Sequence, residues 1–355
     1  MQTITATQYS VYFDLEGYET LVELLIPSRY SKIFILVDEN TSQYCLPHLL
    51  NNLATEIEIE IIELEVGEIH KNIETCTEVW GALSELGGDR KSVLINLGGG
   101  VISDLGGFVA CTFKRGIDFI NIPTTLLSMV DASIGGKNGV DLGNLKNQIG
   151  IIREPKAVIV DTQFLNTLPQ NEMRSGLAEM LKHGLIYDKK YWDKFKNLKD
   201  LSTDNLNELI HESIQIKNRI VCEDLTENGI RKSLNFGHTI GHAIESYFLE
   251  NEEKTNLLHG EAIAIGMILE SYISREKKLI TNEEYQEIKY IINDIFERVE
   301  FNRSDIDEII KLLIFDKKNE FGKVQFALLD GIGKIKINQE TNNELIIKAF
   351  NDYFI

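Results

Sequence analysis

Residues 92–107 read SVLINLGGGVISDLGG, and this stretch decides how the first half of the chain should fold. Its apolar run predicts a buried strand, three glycines follow at 98–100, and the residues after them can begin a helix. Glycines at such a turn let the backbone approach a pyrophosphate, while the start of the helix offers amide donors and a positive dipole. The pattern is not GxGxxG, so a nucleotide site and a tight turn without a ligand are equally good interpretations.

Four further segments predict strands, and stretches compatible with helices separate them. They are KIFILVDEN at 32–40, IEIEIIELEVGE at 57–68, DFINIPTT at 118–125 and VIVDTQFLNTLP at 158–169. Such alternation favours a parallel sheet with helices on both faces. The rest of the chain has apolar residues at helical spacing. We therefore predict an α/β domain over residues 1–165 and a helical domain over residues 166–355.

Polar residues at the ends of the predicted strands leave the nucleotide question open. Asp38 follows the first of these strands and could accept hydrogen bonds from a ribose, or could simply end the strand in a turn. Thr124 and Thr125 follow Pro123 in a predicted polar loop and could equally cap the next helix.

The composition of the chain excludes several classes of function. A net charge of −19 over 355 residues disfavours nucleic-acid binding, which depends on basic residues at the phosphates. Four cysteines are scattered without CxxC spacing, which is typical of free thiols in a reducing compartment. The N-terminus lacks the pattern of a secretory signal, and no apolar run is long enough to span a membrane. We therefore expect a soluble, cytoplasmic protein.

Histidines and a glutamate in three separate segments suggest a metal site. His238 and His242 are four residues apart, so both would project from one face of a helix, and His259 begins another predicted helix. Glu179 lies in SGLAEMLKHG, and carboxylate with imidazole suits a divalent metal that keeps one position open for substrate. His183, four residues after Glu179, is a rival ligand or a helix cap. A lone histidine is usually a surface or core residue, but glycines beside the three histidine candidates would let helices approach closely.

Basic and amide side chains lie in or beside the same segments of an otherwise acidic chain. Each could be an ordinary solvated residue, but together they suggest a small, doubly anionic substrate. Arg231 lies seven residues before His238, and therefore on the same face if one helix spans both. The set comprises Lys137, Lys146, Asn147, Lys182, Lys217, Arg231 and Asn235.

Taken in order along the chain, these blocks resemble the 3-dehydroquinate synthase family. The matching segments are VDEN, VGEIHK, LGGGVISDLGGFVA, KRGIDFINIPTTLLSMVDASIGGKNGVD, LKNQIG, SGLAEMLKHGLI, LNFGHTIGHAIE, LHGEAIAIGM and FDKKN followed by LLDGIG. Asn138 in GGKNG departs from the family's usual threonine; the change weakens a hydroxyl contact that supports the backbone but removes no charged group. Rival interpretations are another sugar phosphate cyclase, a metal-dependent polyol dehydrogenase and a module that only binds a nucleotide.

The resemblance implies a Rossmann-like, dinucleotide-binding α/β domain followed by an all-α domain. It implies that Glu179, His238 and His259 bind zinc or cobalt and that His242 serves the substrate. It implies NAD as a second cofactor, in contact with Asp38, Asn40, Glu68, Lys71, Gly99, Gly100, Asp104, Thr124, Thr125, Leu127, Lys137 and Lys146. The substrate would meet Asp131, Lys137, Lys146, Asn147, Lys182, Lys217, Arg231, Asn235, His242 and one of Lys317 and Lys318. Arg115 would reach the substrate phosphate across a homodimer interface.

The implied reaction converts 3-deoxy-D-arabino-heptulosonate 7-phosphate to 3-dehydroquinate and phosphate, in the shikimate pathway of aromatic amino acid biosynthesis. In this scheme the metal lowers the pKa of adjacent hydroxyls, so that C5 can pass a hydride to NAD. The resulting ketone acidifies the C6 proton, and phosphate leaves. The hydride then returns, and an internal aldol step closes the ring. The enzyme would thus be a phosphorus–oxygen lyase that regenerates its own NAD.

Overall fold

A computed structural model describes residues 1–143, 145–196, 203–313 and 324–354. The chain divides into two compact units, Met1–Pro169 and Gln170–Ile355. Within the described ranges, no helix combines the length and the apolar character that crossing a membrane requires.

The first unit contains a mixed set of strands and helices. Its strands are β1 (Ile4–Thr5), β2 (Ser10–Phe13), β3 (Ile33–Asp38), β4 (Ile59–Leu64), β5 (Val93–Gly98), β6 (Asp118–Pro123), β7 (Lys137–Leu142), β8 (Leu145–Ile152) and β9 (Val158–Val160). Its helices are α1 (Asp14–Leu24), α2 (Glu39–Tyr44), α3 (Leu46–Asn52), α4 (Ile73–Glu85) and α5 (Gly100–Thr112). Seven strands form one sheet in the order β1-β2-β9-β6-β5-β3-β4, and β7 pairs with β8 in a separate antiparallel hairpin.

The middle of the large sheet is apolar on both faces, as a parallel sheet covered by helices requires. Every side chain over residues 33–37 of β3 and 93–95 of β5 is fully buried. Ile35 lies beside Ile61 of β4 and Ile95 of β5, and all of these strands are parallel. The predicted α/β architecture with a parallel sheet is therefore confirmed.

The order of connections creates a crevice at one edge of this sheet. After β3 the chain crosses to β4 on one side, and β5 then pairs on the other side of β3. The direction of winding therefore reverses at β3 and β5. Ligands of open α/β sheets bind outside the carboxyl ends of the strands at such a switch point.

Two parts of the first unit contain strands that we did not predict. The N-terminus contributes β1 and β2, with β2 parallel to β9. The segment predicted as a polar loop after Pro123 contains a π-helical turn at Ser128–Ala132 and then β7, which begins at Lys137. Several side chains of β8 are exposed, so the hairpin lacks the apolar run that predicts a buried strand.

The second unit is mainly helical, as predicted. Its helices are α6 (Gln170–Tyr187), α7 (Lys189–Asp193), α8 (Thr203–Glu223), α9 (His238–Glu250), α10 (His259–Glu276), α11 (Asn282–Ile295), α12 (Arg303–Leu312) and α13 (Asn343–Tyr353). Helix α10 forms the centre, because its residues 262–274 are buried and it packs against α6, α9, α11 and α13. A small antiparallel ribbon of β10 (Phe326–Leu329) and β11 (Ile335–Gln339) accompanies the helices.

No single helix spans Arg231 and His238, in contrast to the arrangement that we considered. Arg231 lies in a 3-10 turn, Ile230–Asn235, and Gly237 then adopts a left-handed conformation with φ of 78°. Helix α9 begins only at His238. A turn therefore separates Arg231 from His238, and the spacing of seven residues does not place their side chains on one helix face.

Candidate active site

The predicted nucleotide residues of the first unit gather at the carboxyl edge of its sheet. Asp38 ends β3 and Asn40 follows it; Gly99 and Gly100 follow β5, and Thr124 follows β6. Glu68 and Lys71 lie in the connection after β4, and Thr125 and Leu127 in the connection after β6. Because parallel strands all end at the same edge, residues far apart in sequence meet at the switch point.

Asp38 also has a structural role at this edge. Its Oδ1 accepts hydrogen bonds from the backbone nitrogen and the hydroxyl of Thr41, at 2.7 and 3.0 Å, and so caps α2. A ribose would therefore have to use the other carboxylate oxygen. Both interpretations of Asp38, as a cap and as a nucleotide contact, are compatible with this geometry.

A network of charged groups surrounds Lys71 beside the glycine turn. Lys71 Nζ donates to Asp104 Oδ2 and to Asn147 Oδ1, each at 2.7 Å. Burial disfavours the charged lysine, but Asp104 and Glu68 outweigh that effect and raise the pKa of Lys71 above its usual value. Lys146 Nζ lies 3.4 Å from Glu68 Oε1. One network therefore joins five residues that the resemblance assigned to NAD or the substrate: Glu68, Lys71, Asp104, Lys146 and Asn147.

Asn147 lies in β8 of the β7–β8 hairpin, which joins this network. It has a left-handed backbone, with φ of 52°, and its backbone nitrogen donates to Asp141 Oδ1 at 2.5 Å. The backbone nitrogen of Asp141 in turn donates to the carbonyl of Lys71 at 2.8 Å. Asp141 was absent from our predictions, because its single carboxylate in GVDLG has no distinguishing pattern.

Asn138 supports the base of the same hairpin. Its side-chain amide donates to the carbonyls of Gly136 and Arg153, at 2.9 and 2.8 Å. The side chain fits because helix α5 has glycine at position 107, where a Cβ would come within 1.9 Å of Asn138 Oδ1. We expected the change from threonine to weaken a hydroxyl contact, and the amide here makes backbone contacts of its own just before β7 and just after β8.

Three other predicted residues lie at different places in the first unit. Asp131 is in the π-helical turn, and Lys137 is an exposed residue at the start of β7. Arg115 lies beyond the C-terminal end of α5, whose 13 residues correspond to about 20 Å of helix. Arg115 is therefore at the opposite edge of the sheet from the glycine turn, and this unit alone does not bring it to the nucleotide residues.

In the second unit, Glu179, His238 and His259 come together. Glu179 is fully buried on α6, and its Oε1 lies 3.6 Å from His238 Nε2 and 3.8 Å from His259 Nε2. Within the described residues, neither carboxylate oxygen accepts a hydrogen bond of good geometry, although Lys182 forms an ion pair with Oε2. A buried carboxylate in this state is costly, and a cation between it and the two imidazoles would compensate it.

His242 and His183 have different surroundings. The nearest ligand atoms of His238, His242 and His259 all lie within 4.8 Å of one another, so His242 is also within reach of a shared ion. His183 is fully buried, and its Nδ1 is 2.7 Å from Ser213 Oγ on α8. A ligand atom of His183 also lies within 4.8 Å of the Glu179 carboxylate, so His183 is still a rival ligand.

Glycines bring the histidine-bearing helices together, as their positions in the sequence suggested. A Cβ on Gly266 of α10 would lie 1.9 Å from the carbonyl oxygen of Gly237, directly before His238. At the other end of the site, a Cβ on Gly260 would lie 2.3 Å from the carbonyl oxygen of Ser175 on α6. Ser175 Oγ also accepts a hydrogen bond from the nitrogen of Gly260 at 3.0 Å. Close backbone contact thus fixes the spacing of the three helices.

Glu270 is a further residue that sequence reasoning missed. It is fully buried on α10, and its two oxygens accept hydrogen bonds from the backbone nitrogens of Gly237 and Ile240, at 2.6 and 3.1 Å. A carboxylate at the start of α9 satisfies amides that lack a partner within the helix and complements its dipole. A lone glutamate in the apolar stretch GMILESY was the signal that could have found it.

The predicted anion-binding residues of the second unit are largely buried. Lys182 of α6, Lys217 of α8 and Arg231 are all at most 5% exposed, and the elements that carry them pack against one another. The Arg231 guanidinium donates to the carbonyl of Leu225 at 2.7 Å, which holds it in place. The Asn235 amide donates to Glu227 Oε1 at 2.8 Å. Lys317 and Lys318 lie outside the described residues.

The comparisons with known proteins agree with the ordered motifs. A family model for the 3-dehydroquinate synthase N-terminal region matches residues 61–175, and one for the C-terminal region matches residues 176–319. A 3-dehydroquinate synthase from Parabacteroides distasonis is 42% identical over 336 residues, which cover 94% of each chain.

Two solved structures resemble the whole chain. A 2-deoxy-scyllo-inosose synthase complexed with carbaglucose-6-phosphate, NAD⁺ and Co²⁺ has a TM-score of 0.84 at 25% identity, covering 99% of this chain and 100% of that one. A 2-epi-5-epi-valiolone synthase from Streptomyces hygroscopicus with bound NAD⁺ and Zn²⁺ has a TM-score of 0.85 at 25% identity, covering 100% and 99%. The matches to both family models, and to a relative over nearly its full length, show that this chain belongs to the 3-dehydroquinate synthase family.

Proposed function

We propose that this protein is a 3-dehydroquinate synthase that converts 3-deoxy-D-arabino-heptulosonate 7-phosphate to 3-dehydroquinate and phosphate. The observation that carries the proposal is the buried carboxylate of Glu179, which faces Nε2 of both His238 and His259 within 4 Å. In a chain of this family, that arrangement supports a reaction on a polyhydroxylated substrate held by a divalent metal.

Glu179, His238 and His259 would hold zinc or cobalt. These three side chains fit such an ion, because one carboxylate and two imidazoles are a common ligand set for an open catalytic site. The bound ion would supply a Lewis acid that lowers the pKa of a substrate hydroxyl. The alternative set, in which His242 replaces Glu179, would leave the buried carboxylate with only its ion pair to Lys182.

The first unit would bind NAD. The two similar solved structures both contain NAD⁺. Bound NAD would supply a hydride acceptor that also returns the hydride. The backbone of Gly99 and Gly100, at the start of α5, would meet the pyrophosphate. The network of Lys71 and Asp104 would hold the hairpin that carries Lys146 and Asn147 over the same edge of the sheet.

The buried cations of the second unit would recognise the acidic groups of the substrate. Lys217 and Arg231 suit the carboxylate, because a guanidinium already oriented by a backbone carbonyl loses little freedom on binding. Within this unit, His242 and Asn235 would hold the phosphate. Each preorganised cation could lower the barrier by about 3 kcal/mol.

We further infer a cytoplasmic homodimer. Arg115 lies at the sheet edge away from the glycine turn of its own unit, which supports its assignment to the site of a second copy of the chain. Two consecutive left-handed residues, Lys114 and Arg115, hold this arginine in an unusual turn. Such conformations are costly and are often found where a side chain must be aimed.

The test is an incubation of the purified protein with the heptulosonate phosphate, NAD and zinc. We expect phosphate release without net accumulation of NADH, because the hydride taken from the substrate returns to it. Net NADH with glycerol would instead indicate a polyol dehydrogenase. Phosphate release from a different sugar phosphate alone would indicate another cyclase.

The metal ligands can be tested separately by measuring bound zinc. Glu179→Gln should lose zinc and activity, because the neutral amide removes the charge that balances the ion. Glu212→Gln is a matched control, since Glu212 is a glutamate on α8 that pairs with the surface residue Lys194 at 2.7 Å. Full zinc content in the Glu179 variant would favour His242 or His183 as the third ligand.

A further inference from the structure

Glu245 is a buried acidic residue that faces a proposed metal ligand from a neighbouring helix. It lies on α9 seven residues after His238, on the same face of the helix, and is 6% exposed. Its Oε2 is 3.2 Å from Nδ1 of His259, the first residue of α10. The contact joins two helices within the second unit.

This contact determines which nitrogen of His259 can coordinate a metal. A carboxylate can only accept, so Nδ1 must carry the proton, and Nε2 then presents its lone pair. Nε2 is the nitrogen that lies 3.8 Å from Glu179 Oε1. The tautomer imposed by Glu245 is therefore the one that the proposed site needs.

The second histidine is oriented by a weaker acceptor. Nδ1 of His238 lies 3.2 Å from the backbone carbonyl of Phe236, so its Nε2 also faces Glu179. Both imidazoles thus have their Nδ1 fixed, one by a neutral carbonyl and the other by a carboxylate. A charged acceptor increases the electron density on the ring and strengthens the imidazole as a donor.

We propose that Glu245 is a positioning residue that selects the tautomer of His259 and strengthens its donation to the metal, and so sets the metal affinity of the site. This inference rests on the proposed metal site, but concerns a residue that touches neither the metal nor the substrate. It predicts that removing the charge at position 245 weakens metal binding while the helices remain folded.

The test measures zinc affinity by competition with a chromophoric chelator in the full-length protein. Glu245→Gln should weaken binding by about 10-fold and Glu245→Ala by up to about 100-fold, the range found for such outer partners. Glu250→Gln, an exposed glutamate at the end of the same helix, is the matched control and should bind as tightly as the unmodified protein. The visible absorption spectrum of the Co²⁺-loaded protein should also shift in the Glu245 variants only.

A double-mutant cycle separates positioning from a general structural effect. In a His259→Ala background, Glu245→Gln should have no further effect on zinc affinity, because its partner is gone. Equal effects with and without His259, or affinities within twofold of the unmodified protein in Glu245→Gln, would overturn the inference. Thermal unfolding of the metal-free variants shows whether each is folded, and if Glu245→Ala is not, Glu245→Gln decides the outcome. Failure of the unmodified protein to bind zinc would instead refute the proposed metal site.

Discussion

Gly266→Ala is the substitution that most directly tests how the site is assembled. A Cβ at position 266 would lie 1.9 Å from the carbonyl oxygen of Gly237 and 2.9 Å from the nitrogen of Gly241. These are backbone atoms of the first turn of α9, where Gly241 donates to the Gly237 carbonyl at 3.1 Å. The added methyl group therefore cannot be accommodated by a rotation of a side chain.

The size of the effect follows from two opposing contributions. Cβ atoms essentially never approach closer than 3.0 Å, so the two helices would have to separate locally by about 1 Å. Overpacking of this kind costs about 3 kcal/mol or more when the backbone must move. The higher helix propensity of alanine returns about 1 kcal/mol. The net loss of about 2 kcal/mol corresponds to a fall in Tm of roughly 4–8 °C.

Gly81→Ala provides a matched control in another helix. Gly81 is an exposed residue of α4, and a Cβ there would meet no atom within 4 Å. This variant should gain up to about 1 kcal/mol, because alanine favours the helix without a clash. Thermal and urea unfolding of the metal-free proteins should therefore move in opposite directions for the two variants.

Gly266→Ala should also bind zinc more weakly, because His238 directly follows Gly237 and would move with it. Zinc affinity is measured by chelator competition below the unfolding transition, where the protein remains folded. A Gly266→Ala protein with an unchanged or higher Tm and normal zinc affinity would show that the helices are not in the close contact described. The reasoning about the glycines would then be refuted.

Two further substitutions test other parts of the fold. Asn138→Ala should cost about 1–3 kcal/mol in urea unfolding, because two carbonyl groups at the base of the hairpin each lose a hydrogen bond from the amide. An unchanged midpoint would contradict the role of the amide. Burial opposes ionisation of Asp305, but hydrogen bonds from Lys254 and Tyr247 outweigh it and lower the pKa of this carboxyl below its usual value. The folded-state pKa is therefore below the unfolded one, so the stabilisation is present above about pH 4 and is lost as the pH falls through the folded-state pKa. Asp305→Asn should be less stable than the unmodified protein at pH 7 by about 1–3 kcal/mol, and the difference should narrow at acid pH; a difference that stays constant down to pH 3 would argue against this account.

Much of the α/β architecture could be predicted because its signals are local. The apolar runs of β3 and β5 are continuous, and each is followed by a polar or glycine turn at the sheet edge. The hairpin of β7 and β8 could not be predicted in this way. Its side chains are partly exposed, and it is stabilised by non-local contacts, including those of Asn138 with Arg153 and of Asn147 with Lys71.

In the candidate site, too, some residues have local signals in the sequence and others are recognisable only from non-local contacts. Spacing alone favoured His238 and His242 as a ligand pair, since a helix places residues four apart on one face. Glu179 and His259 were candidates by residue type, but only family resemblance or the packing of α6, α9 and α10 puts them in one set with His238. Glu245 and Glu270 have weaker signals, because a glutamate within an apolar stretch indicates a buried carboxylate but not the groups that it contacts.

The sequence by itself determined the alternation of the main buried strands with helices, the glycine turn after β5 and the residue types that a metal and an anionic substrate require. These features depend on neighbouring residues, whose preferences act within a few positions along the chain. Only the tertiary structure decided that Glu179 Oε1 faces two imidazoles, that Glu245 contacts Nδ1 of His259 and that Glu270 caps α9. Such contacts join residues on different helices, and their distances depend on how closely the backbones approach, which here is set by Gly260 and Gly266.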